Sequence, residues 1–249
     1  MPIQSDSDSD PNKTQPRPRP SRVVIKVSGE GFGGENSTLK KESLHYLVDQ
    51  LALAKDVGGA EIAVVVGGGN LLRGARQNLL PRTTADLAGM LGTIINGLAL
   101  QSHLRLAGHE TKLQSALHCN RVSEPIDPAR ARAHLSQGQF VIFAGGTGNP
   151  LFTTDSAAAL RAGEIEADLI LKATRVDGVY TSDPERDPDA EIFSSLTYSR
   201  LFDRGLEIID PSAAKICQEI EVPMVVFNLY RERAIRDVLK GKEVGTFVY

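Results

Sequence analysis

The chain predicts an α/β fold, with a mainly parallel sheet held between two helix layers. Three observations carry this. Short, almost wholly apolar runs recur at residues 23–27, 62–66, 140–143 and 222–227, and such runs suit strands covered on both faces. Stretches of helical period separate them, giving the strand–helix alternation of a layered sheet. Glycine-rich loops follow several of the strands, at the carboxyl ends where open α/β sheets bind ligands.

Composition bounds the function. The 249 residues are 41% hydrophobic and 24% charged, ordinary globular values for a chain that can bury a full core. A net charge of −3 argues against a nucleic-acid binder, which would show a basic patch. Cys119 and Cys217 stand far apart and fit neither a disulfide framework nor a zinc site. No apolar run is long enough to cross a bilayer and no signal peptide is visible, so a cytoplasmic protein is expected. Residues 1–21 read as a disordered tail, since SDSDSD and PNKTQPRPRPS offer almost nothing apolar to bury.

Residues 23–27 (VVIKV) form the first expected strand, and Lys26 is the anomaly within it. A lysine at a buried strand end needs an anionic partner or an open cleft. Ser28 to Gly34 read as a glycine-rich loop. A helix is expected over 39–57, with Leu44, Leu47, Val48, Leu51 and Ala54 on one face and Thr38 as its cap. Gly29, Gly31 and Gly34 match a dinucleotide-binding fingerprint. That fingerprint needs its third glycine inside the opening helical turn, and here Glu35, Asn36 and Ser37 intervene.

Residues 62–66 (IAVVV) run into Gly67, Gly68 and Gly69, then Asn70, Leu71, Leu72 and Arg73. Consecutive glycines let backbone approach a ligand closely, and Arg73 offers a fork of donors for phosphate oxygens. The plain alternative is a tight turn with a surface arginine. No Walker A pattern occurs in the chain. A long helix is expected over 84–107. Its small residues, among them Gly89, Gly92 and Gly97, permit close packing on the sheet or on another subunit. Asp86 falls in its expected first turn, suited to the helix dipole or to ligand hydroxyls.

Residues 139–160 (QFVIFAGGTGNPLFTTDSAAAL) read as a buried strand, a loop with Gly145, Gly146 and Gly148, and a helix opened by Thr153, Thr154 and Asp155. Backbone N–H groups at such a helix start make an anion site. Weaker elements flank it: a strand at 111–116 and a helix at 127–136 with Pro128 in its first turn. Residues 168–173 form a strand carrying Lys172, a second lysine at a buried strand end. The segment 174–184 is turn-rich, and Tyr180 can flank a flat ring. An antiparallel addition at 191–195, helices at 197–203, 211–220 and 231–240, and strands at 222–227 and 245–249 complete the pattern. The five histidines read as structural or exposed.

On these residues the chain from Arg22 to Tyr249 resembles the amino acid kinase superfamily and, within it, the bacterial UMP kinases. The carrying motifs are Lys26-Val-Ser-Gly-Glu30, Gly67-Gly-Gly-Asn-Leu-Leu-Arg-Gly74, Gly89 to Ala99, Thr147-Gly-Asn-Pro-Leu-Phe-Thr-Thr-Asp-Ser156 and Lys172-Ala-Thr-Arg-Val-Asp-Gly-Val-Tyr180. The Thr147–Asp155 segment, numbered 147–155, is the most specific of them. The resemblance implies one catalytic domain over 22–249, a three-layer αβα sandwich on about eight mainly parallel strands, and Mg²⁺-assisted transfer from ATP to UMP.

Carried over by the resemblance, Lys26, Val27, Ser28, Gly29, Gly69 and Arg73 would contact the ATP phosphates. Thr174, Tyr180 and Asp183 would hold adenosine. Gly68, Asp86, Thr147, Gly148, Asn149, Pro150, Leu151, Phe152, Thr153 and Thr154 would hold UMP. Lys26, Arg73 and Lys172 would supply positive charge, with Asp155 orienting a lysine or an Mg²⁺-bound water and Asp210 in a similar part. No protein-side metal ligand is assigned. The resemblance further implies a homohexamer and feedback inhibition by UTP. The stretch that relatives link to GTP activation departs here, at Gly34 to Leu39, which places that activation in doubt. Two alternatives stay open: a relative acting on a carboxylate or carbamate, and a non-enzymatic oxyanion-storage protein of the same fold.

Overall fold

The computed structural model describes residues 19–33, 38–57, 59–72, 80–184, 186–206 and 208–249. The first half runs β1 (Arg22–Val27), α1 (Glu30–Gly33), α2 (Lys41–Lys55), β2 (Glu61–Val66), α3 (Arg82–Leu106), β3 (Thr111–Ser115), β4 (Glu124–Pro125) and α4 (Pro128–Ser136). The second runs β5 (Phe140–Ala144), α5 (Thr154–Glu164), β6 (Leu169–Thr174), β7 (Ser195–Leu196), α6 (Tyr198–Asp203), α7 (Pro211–Glu219), β8 (Met224–Asn228), α8 (Ala234–Leu239) and β9 (Thr246–Val248).

The strands join in one nine-stranded sheet, ordered β4-β3-β5-β2-β1-β6-β8-β9-β7. Every neighbouring pair is parallel except β8–β9. The two-residue strands β4 and β7 extend the edges. β4 has no hydrophobic signature in the sequence. The addition expected at 191–195 reduces to a single antiparallel bridge, Tyr180 to Ile192, beside β7.

Side chains alternate between two helix layers, as strand pleating requires. Val23, Ile25 and Val27 of β1 join the core beneath α2, α3 and α8. Val24 points the other way, into the core with α4, α5 and α7. Lys26 shares the parity of Val24, and Lys172 that of Ile170, so both lysines emerge toward α5. The parallel register makes Lys26 and Lys172 direct partners across β1 and β6.

Several local expectations change. The stretch expected as a glycine loop after β1 contains α1, a single turn with Phe32 fully buried. The cap of α2 is Lys40, without a side-chain hydrogen bond, rather than Thr38; the helix starts later because Lys40 N donates to Phe32 O. Helix α3 begins at Arg82, so Asp86 lies beyond the first turn and its partner is Arg82 rather than the helix dipole. The small residues of α3 face inward. A side chain at Gly68 would strike Gly89 O at 2.3 Å, and one at Gly97 would strike Leu113 at 2.8 Å. These glycines thus let the helix sit against the β2 loop and the sheet.

The expected tail lies mostly outside the described residues. Pro20 is buried, and the amides of Ser21 and Arg22 donate to Asp168 Oδ2 at 2.7 and 2.8 Å. No described helix is long and apolar enough to cross a membrane.

Candidate active site

At the sheet centre the two strand lysines meet one carboxylate. Asp155 sits in the first turn of α5, whose start is fixed by Thr153 Oγ1 accepting from the amides of Asp155 and Ser156 at 3.1 and 3.3 Å. Lys26 Nζ lies 3.0 Å from Asp155 Oδ1, and Lys172 Nζ donates to Asp155 Oδ2. Burial alone would push the Asp155 carboxyl up. The Lys26 ammonium and then that of Lys172 override it and hold the group well below the usual carboxylate range. Lys172 moves down to about 8, because burial and the Lys26 charge outweigh the attraction of Asp155. The two ammonium groups and the positive end of α5 face the carboxylates of Asp155 and nearby Asp210, a dense charged centre at a helix start where phosphate can be held.

Asp210 braces the same helix start. Its Oδ2 accepts from Thr153 Oγ1 at 2.7 Å and from Ser156 Oγ at 3.0 Å, while Oδ1 caps α7 through the Ser212 amide.

The glycine loops close around this centre. A β-carbon at Gly29 would lie 2.4 Å from Gly69 N, so the β1 and β2 loops touch backbone to backbone. The loop after β5 turns at Gly145, φ 76°, where any side chain would be both strained and 2.8 Å from the Ala116 amide. Helix α3 holds both sets of loops through polar residues the sequence reading missed. Thr93 Oγ1 accepts from Gly145 N at 2.6 Å. Asn96 Nδ2 donates to Gly67 O at 2.7 Å and lies 2.8 Å from Asn70 Oδ1. The signal that could have found them is polar residues three apart on the face that carries Gly89 and Gly92.

Two cavities open near the strand ends. One, of about 340 Å³, is lined by Gly68, Gly69, Arg82, Asp86, Gly89, Met90, Thr93, Gly146, Phe152, Thr153 and Thr154, among others. The other, of about 480 Å³, is lined by residues 178–184 and by Val176, Arg204, Gly205, Leu206 and Ile208. Both volumes fall in the range of small-molecule sites.

Of the residues expected around the acceptor, Gly68, Asp86 and Phe152 to Thr154 meet at the first cavity. Thr147, Gly148, Asn149, Pro150 and Leu151 are not on its lining. Thr147 Oγ1 accepts from the Asn149 amide at 3.1 Å and Gly148 N bonds Gly145 O at 3.0 Å, a turn folded on itself. Leu151 N donates to Asp86 Oδ2 at 3.0 Å and ties that turn to α3. Tyr180 and Asp183 line the second cavity. Thr174 instead turns its hydroxyl onto Val176 O at 2.7 Å. Lys26, Val27, Ser28 and Gly29 line neither cavity; Val27 is buried in the core. Arg73 and the 34–37 stretch fall outside the described residues. Among the described residues, no cluster of three or more His, Cys, Asp or Glu side chains is placed to hold a metal ion.

The chain belongs to the amino acid kinase family, whose profile matches residues 21–228. Its similarity within that family runs to uridylate kinases. It is 49% identical to the uridylate kinase of Magnetococcus marinus over 232 residues, covering 91% of this chain and 95% of that one. It is 44% identical to a uridylate kinase of a Mycobacterium strain, over 92% of this chain and 91% of that one. Among solved structures, the UMP kinase of Bacillus anthracis superposes with a TM-score of 0.89 at 34% identity, covering 92% of this chain and 96% of its own. The UMP kinase of Ureaplasma parvum does so at 0.85 and 36%, covering 92% and 98%.

Proposed function

We infer that this chain is a nucleoside-monophosphate kinase that transfers the γ-phosphoryl group of ATP to UMP, giving ADP and UDP. The observation that carries the reading is the Lys26–Asp155–Lys172 centre on the paired strands β1 and β6, with one cavity lined by the loops after β2 and β5 and another by the segment after β6. A phosphate oxygen of UMP attacks the γ-phosphorus of ATP. The bond from that phosphorus to the bridging oxygen breaks, and ADP leaves with the electron pair. The acceptor phosphate is already a nucleophile at neutral pH, so no general base is needed, consistent with a site that uses no histidine. What the protein supplies is position and positive charge.

In this reading Lys26 and Lys172 neutralise charge on the moving group and the bridging oxygen, and Asp155 keeps both ammonium groups aimed. Gly29 and Gly69 bring backbone amides to the donor phosphates, and Arg73 adds its guanidinium. Tyr180 and Asp183 take adenosine in the second cavity. Asp86 takes the acceptor ribose, with Phe152, Thr153 and Thr154 around base and phosphate. A magnesium ion fits this donor set if the nucleotide carries it, since Mg²⁺ keeps waters and phosphate oxygens. Asp155 Oδ1, which faces Lys26 Nζ at 3.0 Å, would use its remaining acceptor position to orient a water of that ion. When bound, the ion offsets charge on the β- and γ-phosphate oxygens.

The same reading makes the chain a single cytoplasmic domain over 22–249, serving pyrimidine nucleotide synthesis, with nucleotide effectors. It also makes it a homohexamer. Leu87, Leu91, Ile95 and Leu98 form an exposed stripe along the outer face of α3, and Leu91 and Ile95 are each 51% exposed. Another copy covering that stripe would remove it from water.

An acceptor panel tests the function. With ATP and Mg²⁺, ADP release is expected with UMP and not with glutamate, aspartate or carbamate. Phosphorylation of a carboxylate or carbamate in place of UMP moves the chain to another branch of the family. UMP binding without any ADP release would make it a binding protein.

A further inference from the structure

Arg82 opens α3 and stands one turn before Asp86. Its Nε lies 3.0 Å from both Asp86 oxygens. Asp86 Oδ2 also accepts the Leu151 amide at 3.0 Å. Leu151 has φ 75°, a left-handed conformation that costs a residue with a side chain and needs an outside contact to hold it. The aspartate side chain is only 14% exposed against 55% for the arginine, and both line the first cavity.

An exposed pair one helical turn apart adds little to stability. This one has a different geometry: the sheltered member faces a cleft and touches a second loop. A carboxylate has about four acceptor positions. Arg82 bridges the two oxygens with one N–H and Leu151 takes one more position, which leaves capacity for hydroxyl donors. We propose that Arg82 is a positioning residue for the acceptor. It fixes the Asp86 carboxylate toward the ribose hydroxyls and, through the Leu151 amide, sets the acceptor loop. The proposal rests on the UMP reading above. Lysine would keep the charge but lose the planar donor geometry.

The test uses the full chain and two readouts. In steady-state kinetics with ATP and Mg²⁺, Arg82→Ala raises KM for UMP about tenfold, the loss of a charged hydrogen bond. KM for ATP and kcat stay within about twofold. The preference for UMP over 2′-deoxy-UMP in kcat/KM narrows, and Arg82→Lys recovers only part of it. In hydrogen exchange without nucleotide, Arg82→Ala speeds exchange across residues 147–153. Equal rises in both KM values with a lowered Tm would mark a merely structural pair and overturn the proposal, as would unchanged UMP kinetics. If the unaltered chain does not phosphorylate UMP, the functional reading fails on its own account. The exchange arm then decides the link: faster exchange in Arg82→Ala supports it, and unchanged exchange overturns it.

Discussion

Asp155 and Asp86 flank the same loop and are held in opposite ways. Asp155 is buried and clamped by lysines from two paired strands, so the sheet itself sets its surroundings. Asp86 lies at a cleft wall, clamped by an arginine of its own helix and by one loop amide. The first arrangement is rigid and electrostatically costly, which suits charge that must stand ready where charge moves. The second is adjustable, which suits a group that meets a ligand and lets it go. On the proposed reading, chemistry is built on strand ends and recognition on a helix and a loop.

The contrast breaks most visibly at Asp155. Asp155→Asn leaves two buried ammonium groups facing each other and is expected to cost about 3–5 kcal/mol, lowering Tm by roughly 10 °C. Turnover should fall at least about 10²-fold. The depressed Asp155 carboxyl contributes stability above its ordinary value of 3.8 that is lost as pH falls toward its lower folded value. Stability curves of the variant and the unaltered chain should therefore converge in acid; an unchanged Tm at neutral pH would remove the rigid-centre account. Arg73→Ala comes next, with turnover down about 10²-fold, and an unchanged kcat would take Arg73 out of the chemistry.

A smaller effect is expected from pH. Lys172 loses its proton near 8 in the folded chain, against an ordinary 10.5. Over that window the folded state holds fewer protons than the unfolded, so this group's contribution to stability rises with pH. On the proposed reading, the charge it lends to phosphoryl transfer is lost over the same range. A falling limb in kcat/KM near pH 8 is expected, belonging to the coupled centre, and Lys172→Arg should move it upward. A profile flat to pH 10 would refute that role. Thr93→Ala is the mildest. It leaves the Gly145 amide without its partner and should cost about 1–3 kcal/mol. A fall in Tm of a few degrees in a melting curve checks it, with a larger loss in affinity for UMP than for ATP.

The layered sheet was legible because its strands are buried on both faces and read as continuous apolar runs. Lys26 and Lys172 were legible for the same reason, as charges where the pattern forbids them. Their meeting was not: nothing local in 22–27 or 169–174 says that these strands are neighbours. The start of α5 followed from Thr153 and Asp155, whereas the start of α2 did not, since Lys40 owes its place to the carbonyl of Phe32. Thr93 and Asn96 passed as helix interior because their partners are loop amides and carbonyls distant in sequence. Arg82 went unread because the helix was expected to start at 84, two residues later than it does. Strand β4, two residues with a proline, carried no periodicity to detect.

The pairing of Lys26 with Lys172 also bears on how the chain acquires its activity. The two segments lie far apart in sequence: β1 pairs early with β2, but its other neighbour, β6, follows only after five helices and four other strands. Such non-local closure is slow relative to local helix formation. A refolding chain should therefore recover its helical circular dichroism before its phosphoryl-transfer capacity. A fragment ending before residue 169 would carry the β1 and β2 glycine loops, Lys26 and Asp155, but not the second lysine that completes the centre.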